Sequence, residues 1–375
     1  MRFRVATRIS NRLGAALLGA AALLVGCAHA RQPSVPSVPS VPSAAASLAG
    51  TSGIYRLASS TWSTTVYTSR TISFALDRID QRRLPLDQTY SHSATGRGVT
   101  VYVFDGGVSA AHPELVGRVR AGFNGFPDDA GICNPHGTAV AGAIAGATLG
   151  VAPNAQIVDV KMVQCEKVRG TIKAIVDGAR WVIEDHKGHP GPAVANCSFI
   201  ADTASRIAAL DTAVAELRAA GIPVIVSAGN LDIDACRVSP GNSRGTIVVG
   251  ASGIVTERDS AGTPHTYDRR SPDTAYGACI DVYAPGDSVL LPSLDRDSKP
   301  ISQLWNGTSM AAGYVSGAVA LYLETHPTAT PDDVAAALKR DATPNVLRDT
   351  RSTYARMLYV GAGQRQVALK RSDPR

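Results

Sequence analysis

An aspartate, a histidine, an asparagine and a serine each stand beside or next but one to a glycine in this chain, at FDGG (Asp105), NPHGT (His136), SAGN (Asn230) and NGTSM (Ser309). Singly, none of them argues for chemistry. An aspartate before two glycines is ordinarily a turn, and a histidine or serine at a helix start is ordinarily structural. In the run after Ser309, Gly313 and Gly317 read as two bare patches on one helix face, against which another segment packs closely. Together the four residues are the set that acyl transfer requires: a nucleophile, a base that takes its proton, a carboxylate that fixes the base's tautomer, and a donor aimed at the oxyanion. The backbone N–H of Ser309, at a helix N-terminus, supplies a second donor.

These groups can cooperate only if the fold brings them to one place. Short β-branched runs at residues 98–104, 156–162, 193–198, 223–228, 246–252 and 280–285 alternate with helical segments at 136–148, 170–185, 205–220, 309–325 and one opening at Thr330. Several of the runs are apolar almost throughout, as strands covered on both faces must be. Thr330 suits an N-cap and Pro331 the first helical position, with Asp332 and Asp333 near the positive end of the dipole. The pattern predicts a three-layer, doubly wound α/β domain with a mainly parallel sheet. In such a sheet ligands gather beyond the carboxyl ends of the strands. Asp105 and Asn230 directly follow strands, while His136 and Ser309 open helices, so all four are expected at that edge.

Composition narrows the alternatives. With 45% hydrophobic and 18% charged residues the chain is globular, and its net charge of +6 comes largely from arginines and lysines near both ends, which argues against nucleic acid as a partner. No H-E-x-x-H is present, and His186 and His189 read as a solvated loop. Gly241-Asn242-Ser243-Arg244-Gly245 has the letters of an esterase elbow, but it follows a loop and opens a strand, the reverse of what that turn needs.

The ends carry other signals. Residues 1–26 combine Arg2, Arg4, Arg8 and Arg12 with an apolar stretch too short to span a bilayer, and read as a cleaved export signal lying outside the fold. Leu24-Val25-Gly26-Cys27 resembles a bacterial lipobox, which makes Cys27 the lipid anchor and the envelope, by resemblance the outer membrane of a diderm host, the address. Residues 27–70 follow as a tether and short N-terminal segment, the Pro33–Ser43 repeat favouring extended polyproline II. Residues 71–361 are the expected folded domain that holds the four groups, and 362–375 a basic tail.

FDGGVSAAHPELVGR, NPHGTAVAGAIAG, VSAGN and NGTSMAAGYVSGAVA, in this order, resemble the subtilisin-like serine proteases, and LDRIDQRRLPLDQTY resembles the proteinase K and aqualysin branch. The resemblance implies a serine endopeptidase working through an acyl-enzyme, with Asp105, His136 and Ser309 as triad and Asn230 as oxyanion donor. It implies protein or peptide substrates, a monomer, and no cofactor for the chemistry. Ser198, Phe199, Ile200 and Ala201 fall on the substrate-lining strand, where the family carries two glycines at the last two positions. Cys133 with Cys165, and Cys236 with Cys279, fall where relatives place disulfides, leaving Cys197 as a buried thiol. Asp281 falls on a structural calcium ligand, its partner carbonyls expected around Arg244 and Thr246. Gly106 replaces the family's threonine or serine after the aspartate, and Gly313 and Tyr314 replace a proline and a histidine. Residues 44–70 are shorter than the family's usual folding pro-domain. The rival reading is a catalytically silent, membrane-tethered binding module on the same fold, against which stands the presence of all four reacting groups.

Overall fold

The computed structural model describes residues 2–4, 66–129, 131–167, 169–201 and 206–361. Cys27, residues 28–65 and the basic tail lie outside them, whereas Tyr67–Arg70, at the end of the expected N-terminal segment, is a strand antiparallel to Thr89–His92 and so joins the folded part, a correction to its expected start at residue 71. One compact unit comprises residues 1–7 and 53–375, and a second, residues 8–52, lies wholly outside the described residues.

The core of the first unit is an eleven-stranded sheet whose parallel strands run in the order Val119–Asn124, Gln156–Lys161, Thr100–Asp105, Ala193–Cys197, Val224–Ser227, Ile247–Arg258 and Val282–Pro285. Successive side chains point to opposite faces. Val101, Val103, Ile157, Val194, Ile225 and Val249 therefore join one core with the helices His136–Ala145 and Thr308–Thr325. Tyr102, Phe104, Val158, Val160, Val224 and Val226 join another with Ile172–Gly188 and Ala208–Ala219. Both faces are covered, which is why these strands read as apolar runs, and the result is the three-layer doubly wound architecture. The chain leaves Thr100–Asp105 for one side of the sheet and later returns to the other, so the carboxyl end of that strand is a topological switch point.

Two glycines set the approach of the helix that carries Ser309. A Cβ on Gly317 would fall 3.1 Å from Ile144 O and 2.6 Å from Val151 Cβ just beyond that helix, and one on Gly313 2.9 Å from Ala143 Cβ. The bare patches are thus where Thr308–Thr325 packs against the helix of His136. At Thr330 the capping box is complete, with Asp333 N–H donating to Thr330 Oγ1 and Thr330 N–H donating to the Asp333 carboxylate.

The expected exclusion of residues 1–26 from the fold is corrected at one place. Arg2–Arg4 forms a strand antiparallel to both Arg169–Thr171 and Ile200–Ala201, filling the slot between them. Each bordering strand turns backbone donors and acceptors to that slot, and an extended segment pairs with both rows at once.

Candidate active site

Asp105 is the last residue of the central strand. Its Oδ1 accepts a 2.7 Å hydrogen bond from Gly106 N–H, and its Oδ2 lies 2.8 Å from His136 Nδ1. A carboxylate at Nδ1 holds the proton there and leaves Nε2 as the basic nitrogen. His136 is the first residue of its helix, and the helix comes this close only because the next residue is glycine: a Cβ on Gly137 would lie 2.5 Å from Gly107 O. Cys133 N–H donates to Gly106 O at 2.9 Å, and the Cys133–Cys165 disulfide fastens the loop from the other side.

Ser309 is the second residue of Thr308–Thr325. Asp105, His136 and Ser309 are each only 1% exposed. The structure joins Asp105 to His136 but not His136 to Ser309. Ser309 Oγ donates instead to Ser198 O at 3.3 Å, and His136 Nε2 is buried without a partner among the described residues.

A buried polar chain, absent from the sequence reading, fixes the serine's backbone. Ser316 Oγ donates to Asn196 Oδ1 at 2.8 Å, Asn196 Nδ2 to Ser198 Oγ at 2.9 Å, and Ser198 Oγ to Ser309 O at 3.1 Å. Its one sequence signal was an asparagine inside the apolar strand AVANC. Trp305 was missed as well. Its ring meets the His136 imidazole edge-on, with centroids 6.1 Å apart.

Asn230 Oδ1 accepts from Thr308 N–H at 2.9 Å and from Thr308 Oγ1 at 3.0 Å. With the carbonyl end so committed, the amide nitrogen is the end turned from Thr308; a Cβ on Gly307 would lie 2.9 Å from it. Ser309 N–H belongs to the first helical turn, whose donors lack intrahelical acceptors. Beside these groups runs the segment Ser198, Phe199, Ile200 and Ala201, all buried. Ile200 leans over the backbone ahead of Asn230, its Cδ1 only 3.1 Å from where a Cβ on Gly229 would stand.

Cys236 and Cys279 are also bridged. Cys197 is buried and unbridged, and burial pushes its thiol up to about 12. It stays protonated and unreactive at neutral pH. Asp129, Cys133 and Cys165 lie close enough to hold a metal, but the two sulfurs are already bonded to each other.

At Asp281 the residues do not fit the expected calcium. Oδ2 accepts from Val248 N–H at 2.9 Å, and Oδ1 is ion-paired with Lys339 Nζ at 2.6 Å. Gly245 O, between the two expected carbonyls, accepts from Arg218 at 2.8 Å. Two side-chain cations stand where a metal would need open oxygens. Lys339 is half exposed, so its pair is worth about 0.2 to 1 kcal/mol. Lys339→Met should lower thermal stability slightly and make melting more responsive to added calcium than in the wild type. An equal calcium response in the two proteins would mean that Asp281 takes the ion despite the lysine.

Residues 96–361 match the subtilase family. The chain is 40% identical over 279 residues to an extracellular serine proteinase of Thermus sp. (strain Rt41A), covering 74% of this chain and 63% of that protein. It is 38% identical over 289 residues to alkaline serine exoprotease A of Vibrio alginolyticus, covering 76% of this chain and 50% of that one. The matched segment thus spans between half and two thirds of these relatives' own length. The crystal structure of a cold-adapted subtilisin-like serine proteinase superposes with a TM-score of 0.68 at 37% identity, covering 79% of this chain and all of that one. By the breadth of the family match and by this fold, the chain belongs to the subtilase family.

Proposed function

We propose that the protein is a serine endopeptidase, with Asp105, His136 and Ser309 as its triad and Asn230 as oxyanion donor. The observation that carries the reading is the buried Asp105–His136 hydrogen bond at the sheet's switch point, beside the helix that opens with Thr308 and Ser309. Ser309 Oγ attacks the scissile carbonyl carbon while its proton passes to His136 Nε2. Asp105 steadies the imidazolium, which then gives that proton to the leaving amine. Asn230 Nδ2 and Ser309 N–H receive the oxyanion, and water hydrolyses the acyl-enzyme by the same steps. The slot between Arg169–Thr171 and Ile200–Ala201, which takes an extended strand antiparallel to both walls, supports a peptide substrate bound by backbone pairing. A fluorophosphonate probe should label the purified protein once, at Ser309; absence of label on folded protein would leave the silent binding module.

Specificity follows from Ile200. A β-branched side chain is stiff, and this one already crowds Gly229. Small or unbranched residues before the cleaved bond should be preferred to phenylalanine or tyrosine, and Ile200→Gly should improve the aromatic substrates by about 10- to 200-fold in kcat/KM. Aromatic residues ranking first in the wild type, with no gain in Ile200→Gly, would show that the obstruction does not exist.

The protein is further proposed to act outside the cytoplasm as a monomer held to the bacterial envelope through lipidated Cys27. The lipobox-like Leu24–Cys27 stretch supports this, as do two disulfides, which persist in oxidising compartments, and a Thermus relative described as extracellular. Among the described residues no helix is long and apolar enough to cross a membrane. Cys27→Ser should move the protein from the detergent phase to the aqueous phase; continued membrane partitioning would refute the anchor.

A further inference from the structure

The mechanism leaves one acid beside the triad unused. Asp159 interrupts the apolar strand QIVDVKM, pairing in register with Val103, while Lys161 pairs with Asp105. Directly paired residues and residues two apart share a face, so Asp105, Asp159 and Lys161 project from the same side of the sheet. Asp159 Oδ2 accepts a 3.1 Å hydrogen bond from Val108 N–H, in the loop that leaves Asp105. Its Oδ1 is closed off from solvent and has no hydrogen-bond partner among the described residues. The loop it holds begins with Gly106, which has no hydroxyl to offer its neighbours.

We propose that Asp159 is a positioning residue for the Asp105–His136 pair: it fixes the Asp105 loop through Val108 and, when ionised, adds a second negative charge to the face on which the imidazolium forms. This rests on the endopeptidase reading of the site. The charged groups that face Asp159 are Asp105 from the central strand and Lys161 from its own, and Lys161 is itself turned to Asp129. On the other neighbouring strand the paired residue is Ala121. Burial raises the Asp159 carboxyl to about 7; the Val108 N–H opposes this, Asp105 adds to it and Lys161 opposes it. Asp159 therefore ionises in the range in which a histidine base loses its proton. A negative charge nearby favours the imidazolium, so ionised Asp159 makes His136 a stronger base and lowers the cost of the state in which Ser309 has given up its proton.

The test is the pH dependence of kcat/KM for the wild type and Asp159→Asn, which retains an acceptor for Val108 N–H but cannot ionise. The variant should melt near the wild type, begin its rise at lower pH, and reach an alkaline plateau about tenfold lower, with kcat rather than KM carrying the loss. Superposed profiles would overturn the proposal. Should Asp159→Asn not fold, the His136 imidazole can be followed by NMR in Ser309→Ala, with Asp159 otherwise intact. Two coupled inflections around neutrality are expected, and a single ordinary inflection would overturn the proposal without reference to activity. Failure of the broader reading looks different: folded wild type would then not react with fluorophosphonate at Ser309, whatever Asp159 does.

Discussion

Replacing Ser309 with alanine should lower kcat on a peptide substrate by about 10⁶-fold, the magnitude found in subtilisin, a member of this same family, when its nucleophile is removed. The substitution deletes one buried hydroxyl whose only hydrogen bond among the described residues is the 3.3 Å contact to Ser198 O. Losing so long a bond costs little stability, and the chain Ser316, Asn196, Ser198 still holds the Ser309 carbonyl. A folded, peptide-binding but inert protein is therefore expected, with KM or a directly measured Kd nearly unchanged. What remains of the rate would come from the oxyanion donors and from substrate positioning. Wild-type turnover by the purified variant would remove Ser309 from the chemistry, and loss of peptide binding together with turnover would show that the hydroxyl's role is structural.

The residues in that argument differ in how visible they are before folding. Asp105, His136, Asn230 and Ser309 were legible because each sits at the junction of a strand or helix with a glycine-containing turn, and such junctions can be read locally. The parallel strands were legible because burial on both faces leaves no polar alternation to obscure them. Val119–Asn124 was not, since it is an edge strand, only half buried and interrupted by Gly122. The outer half of Ile247–Arg258, beyond the expected run 246–252, and the strands Pro264–Arg270 and Pro300–Trp305 that pair in hairpins escaped because their residues are largely exposed and carry no core periodicity. Lys339 at Asp281 is invisible in another way. Its helix was expected, but which carboxylate its ammonium meets is decided by packing between elements far apart in sequence. Asp159 combines both cases, for a lone acid in an apolar strand is a local signal, while its place beside Asp105 depends on the register of two strands that are not consecutive.

Asn230→Ala should reduce kcat by about 10²- to 10³-fold with little change in KM, a magnitude that comes from the corresponding donor in subtilisin itself. An oxyanion donor is worth more to the tetrahedral intermediate than to the substrate carbonyl, so its loss appears in kcat. In this chain the amide cannot simply rotate away, because Thr308 grips its oxygen with both N–H and Oγ1, and Gly229 N–H in turn donates to Thr308 Oγ1 at 3.1 Å. Thr308→Val removes one of those two grips and leaves the backbone one. It should therefore cost less than Asn230→Ala, and adding it to Asn230→Ala should cost little more, since the two side chains act through one donor. Asn230→Asp, which keeps the acceptor that Thr308 requires but offers no N–H to the oxyanion, should be at least as damaging as alanine. Full activity in Asn230→Asp would show that the amide nitrogen plays no part and that Asn230 serves only to seat Thr308 at the head of the helix.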